Sequence, residues 1–64
     1  MPTEWNEYMY EVWESRKQLK ALLKEMKDPI KQHDVRAIRN HIAWAKATLD
    51  SMKAMCAYYE AKND

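Results

Sequence analysis

The chain has 64 residues, a third of them charged, with eleven Lys or Arg against ten Asp or Glu, two prolines and no glycine. That length suits one domain with a thin core, and the composition is that of long helices with few turns. The missing glycine excludes phosphate-cradling loops, which need positive φ and close backbone approach. No apolar run approaches the roughly 18 residues that cross a bilayer.

The first helix is expected over residues 4–27 or so, with Thr3 as its N-cap and Glu4 and Glu7 complementing the positive end of the dipole. Trp5, Met9, Val12, Arg16, Leu19, Leu23, Met26 and Ile30 follow at alternating steps of four and three, which keeps them on one helical face. Asp28 precedes Pro29, and a residue before proline is pushed out of the α region. A connection is therefore expected over about 28–33, with a short turn carrying Pro29 at its first position as the alternative.

Asp34 is the expected cap of a second helix over about 34–61, whose seam is Val35, Ile38, Ile42, Ala45, Leu49, Met52, Cys56 and Tyr59. The expected fold is all-α: one domain over residues 1–64, an antiparallel two-helix hairpin assembling as a dimeric four-helix bundle or a larger helical oligomer. Folding at the connection pairs Ile30 with Val35, Met26 with Ile38, Leu23 with Ile42 and Leu19 with Ala45. Arg16 is the charged exception in the seam, either snorkelling to water or setting association state.

Large apolar residues remain off these seams. Trp13 and Leu22 flank the first, while Trp44 and Tyr58 lie on an alanine-rich outer face of the second helix. Self-association through Trp13, Leu22, Trp44, Tyr58 and Arg16 is the simplest way to cover them. Charge is also polarised along the hairpin. Residues 16–46 carry nine Lys or Arg against three acids, and the two terminal segments carry two Lys against seven acids. Antiparallel association, basic end against acidic end, follows from that distribution.

Lys17, Lys20, Lys24, Lys27 and Lys31 recur at helical spacing, and Arg36 and Arg39 extend the basic region onto the second helix. None of these lysines has an acid four residues before it, the usual lacing of a solvated flank. The stripe therefore points to an anionic partner, a protein surface ahead of nucleic acid because the net charge is only +1. Chemistry-bearing residues are thin: His33 and His41 are eight apart, and Cys56 is the lone cysteine. The expectation is a small non-enzymatic regulatory protein, of the kind phages and mobile elements encode, that self-associates and binds a macromolecule. The alternative is a nucleic-acid-binding hairpin using the lysine stripe. No cofactor, metal, small-molecule substrate or membrane association is expected. The first residues lack a signal peptide's pattern, so a cytoplasmic location is expected, that of the host cell for a phage-encoded chain.

Overall fold

The computed structural model describes residues 6–63, so the Thr3 cap, Glu4, the Trp5 layer and Asp64 lie outside the described residues. Three helices follow in order: α1, Glu7–Glu25; α2, Lys27–Lys31; and α3, Val35–Asn63. There is no strand among the described residues. The α1 helix begins at an Asn6 cap, whose side chain accepts from the Met9 backbone N–H at 2.9 Å. An orphan donor at the helix start is thereby satisfied.

Pro29 does not end the first arm. It has no N–H to donate to the Glu25 carbonyl, so the helical ladder is interrupted at Met26. Met26 keeps right-handed helical dihedrals (φ −65°, ψ −17°) and bonds on both sides, to the Leu22 carbonyl at 3.2 Å and from the Ile30 N–H at 3.1 Å. The arm resumes as α2, so helix occupies 27–31, where the sequence pattern places connection.

The chain reverses over Gln32, His33 and Asp34. The Asp34 N–H reaches the Pro29 carbonyl at 2.9 Å and the His33 N–H reaches the Ile30 carbonyl at 3.1 Å. That pair of bonds is a Schellman closure, which requires a left-handed residue between them. His33 supplies it, with φ 56°. In a chain without glycine, an L-residue bears that steric cost. Asp34 then caps α3, as the sequence predicts, its Oδ1 accepting from the Ala37 N–H at 3.1 Å.

The α1 and α3 helices pack side by side as a hairpin. The half-buried positions on α1 are Tyr8, Met9, Val12, Glu14, Ser15, Leu19 and Leu22, with Met26 just beyond its end; on α3 they are Ala37, Ile38, His41, Ala45, Thr48, Met52, Ala54 and Met55. Within each set runs a stripe stepping by threes and fours, as expected, but each stripe is displaced from the predicted one. Met9, Val12, Leu19, Met26, Ile38, Ala45 and Met52 stay half-buried. Arg16, Leu23 and Ile30 give way to Ser15, Leu22 and Pro29; Ile42, Leu49 and Cys56 give way to His41, Thr48 and Met55. Each helix is thus turned by about 50° from the expected facing, half of one residue's step.

The molecule measures 47 × 22 × 9 Å, one helix thick. No described residue is buried. The accessible surface of 5396 Å² exceeds the roughly 4,300 Å² that size scaling gives for a folded monomer of 7.7 kDa.

Two local features carry measurable stability. Asn6→Ala and Asp34→Ala should each cost about 1 kcal/mol in denaturant unfolding at fixed protein concentration, through loss of a cap. His33→Gly should instead stabilise by about 0.5–1 kcal/mol, because glycine occupies positive φ without the steric cost.

Candidate interaction surface

The rotation of the two helices decides what the hairpin displays. Turning antiparallel helices by the same half step each moves their displaced stripes to the same face, since the sense of winding reverses with chain direction. Leu23 and Ile30 from the first arm and Val35, Ile42 and Leu49 from α3 are 50–56% exposed there. Cys56 is exposed on the same α3 stripe. Toward the termini, Met9, Val12, Trp13 and Arg16 line an open cavity of about 270 Å³. The Arg16 guanidinium lies 5.4 Å from the Trp13 ring centre, so the expected charged seam residue instead sits outside the seam and stacks on an aromatic face.

Contacts on the other face corroborate this assignment. Tyr8 and Tyr58 approach with ring centres 6.0 Å apart, and Lys62 Nζ lies 5.7 Å from the Tyr8 ring. His41 Nδ1 donates to the Ala37 carbonyl at 2.8 Å, leaving Nε2 directed to Glu25 at 4.0 Å. Trp44 packs 5.5 Å from the His41 ring yet remains 58% exposed. Trp44, Tyr58 and Glu25 thus lie on the side of the seam away from Leu23 and Ile42, in contact with the seam residues Tyr8 and His41.

The charges of α1 are segregated by the same geometry. Glu7, Glu11, Glu14 and Glu25 fall on the Tyr8 side, whereas Lys20 and Lys27 border the apolar face and Lys17, Lys24 and Lys31 lie beyond them. Arg39 and Lys46 border the same face on α3, and Arg36 lies on that helix's outer flank. Lys17 is engaged, 3.5 Å from Glu14 and 5.7 Å from the Trp13 ring centre. Lys20, Lys24, Lys27 and Lys31 form no ion pair with a described residue.

Of the residues expected to drive self-association, Trp13 and Arg16 meet on the apolar face, Trp44 and Tyr58 lie on the opposite one, and Leu22 is half-buried against α3. The stripe from Leu23 to Leu49 is absent from that expected set, because its spacing marks it equally well as hairpin core. A signal was present in the neighbouring stripe: Tyr8, Leu22 and Met55 are large enough to close a seam of their own.

No helix among the described residues is long and apolar enough to cross a membrane. No group of three or more His, Cys, Asp or Glu that would hold a metal occurs among them. No protein-family model matches the chain, and no curated protein or solved structure matches it.

The Tyr8–Tyr58 contact ties the two ends of the hairpin together. A double-mutant cycle with Tyr8→Ala and Tyr58→Ala should return a coupling of about 0.5 kcal/mol, at the low end for aromatic pairs because Tyr58 is largely solvated.

Proposed function

We propose that this protein is a non-catalytic helical interaction module that self-associates and binds an anionic macromolecule, an acidic protein surface, through the lysine flank of α1. The observation that carries this reading is the separation of Lys20, Lys24, Lys27 and Lys31 from every described acid within ion-pair reach. A flank that serves only solubility interleaves its charges, and each close opposite pair contributes a few tenths of a kcal/mol. Here that local stabilisation is forgone, and like charges stand at helical neighbour positions. An external acidic surface offsets both costs.

Self-association is supported by the exposed Leu23–Ile42 stripe, with no buried residue among those described. A net charge of +1 favours a protein partner over nucleic acid, whose binding domains are usually strongly basic. Nucleic-acid binding remains the second reading, favoured by the five-lysine run itself.

The two readings separate by salt. Five phosphate contacts would give a log–log salt slope of about −4.5 for generic duplex, and such a slope would promote the second reading. For the first, replacing Lys17, Lys24 and Lys31, which lie beyond the border of the apolar face, together with Gln should abolish capture of the acidic partner. Helicity by circular dichroism and mass by sedimentation should remain unchanged. Retained capture by this variant would remove the lysine flank from the function.

A further inference from the structure

We infer that the face bearing Leu23, Ile30, Val35, Ile42 and Leu49 is the docking surface for a second copy of the chain, laid across the first with its connection over the other's termini. This rests on the self-association proposed above and specifies its face and direction.

Three observations converge on that occupant. The first is thickness. Stable domains bury the apolar side of one layer against another, and this hairpin is a single layer 9 Å deep with no buried residue among those described. The second is width. A lone helix is about 10 Å across with its side chains, so it would cover half of a face 22 Å wide. A second hairpin matches that width. The rectangle of 47 by 22 Å offers about 1,000 Å², against roughly 800 Å² per partner in a standard stable interface.

The third observation is charge, which selects the direction. With the two connections at the same end, the first arm of one copy lies over α3 of the other. Lys20 then meets the partner's Lys46, and Lys27 meets the partner's Arg39. Each is a like-charge contact at the rim. With the connections at opposite ends, each first arm lies over its twin: Lys20 meets the partner's Lys20 once at the centre, and Lys27 meets the partner's Trp13, an aromatic face that receives a cation. The same inversion sets the basic 16–46 stretch, nine Lys or Arg against three acids, lengthwise over the acid-rich terminal segments, an end-to-end steering rather than a contact because Glu7, Glu11 and Glu14 stand on the far side of α1. Apolar layers then alternate between copies: Val35 against the partner's Cys56, and Ile42 against the partner's Leu49. The two Cys56 thiols lie 21 residues of helix apart along the axis, about 30 Å, beyond disulfide reach.

Cysteine crosslinking tests the arrangement in the intact chain. Val35→Cys keeps the native Cys56, and the two positions on one helix are too far apart to bridge within a chain. Under mild oxidation most of this variant should become covalent dimer, with a bridge between position 35 and the partner's Cys56 identified by peptide mass. Wild type should stay uncrosslinked under the same conditions. Should Val35→Cys disturb α3, Ile42→Cys with Leu49→Cys in a Cys56→Ala chain should bridge position 42 to the partner's position 49. A dimer by sedimentation that forms no bridge in either variant would overturn this arrangement, since the opposite direction sets α3 over the partner's first arm and separates these positions, and would leave self-association standing. A monomer at micromolar concentration would overturn both.

Discussion

Everything in this protein depends on the apolar contact between α1 and α3, and that contact is incomplete. Val12, Leu19, Leu22 and Met26 meet Ile38, Ala45, Met52 and Met55, yet all of them stay half-buried. Two cylinders touch along a line, so each covers only a strip of the other, and the remaining circumference stays open to solvent. A chain of this length has little stability to spare. The same constraint that limits the core creates the display surface, because apolar residues beyond the strip have nowhere else in the chain to go.

The connection contributes by setting phase as well as direction. Pro29 interrupts the ladder without turning the chain, and the reversal is left to three residues closed by the Pro29 and Ile30 carbonyls. A Schellman closure has narrow dihedral tolerance, so it determines the angle about the axis at which α3 departs. That phase places Ile38 and His41, rather than Ile42, toward the first arm. His33, held at positive φ, is where the absence of glycine is felt most directly.

Charge and apolarity are arranged together. On α1 the acids lie on the Tyr8 side and the lysines on and beyond the border of the Leu23 face. A protein that only needed solubility would mix the two signs around the helix. Separation leaves two distinct surfaces: an exposed apolar one, and a cationic flank beside and beyond it.

Much of the architecture was legible in the residues alone. Steps of three and four define two helices, Asp34 caps the second, and the basic middle and acidic ends follow from counting charges. The lysine stripe was equally visible, since its spacing is local. The stripe that closes the hairpin was not. Leu23 and Leu22, Ile42 and His41, and Leu49 and Thr48 are neighbours in sequence, and either choice forms an acceptable helical stripe sharing Val12, Leu19, Ile38 and Ala45. Periodicity identifies which residues share a face but leaves the facing undetermined to within about half a residue's step. The tertiary structure decided it, because the choice depends on what stands opposite each side chain and on the phase imposed by the turn at His33.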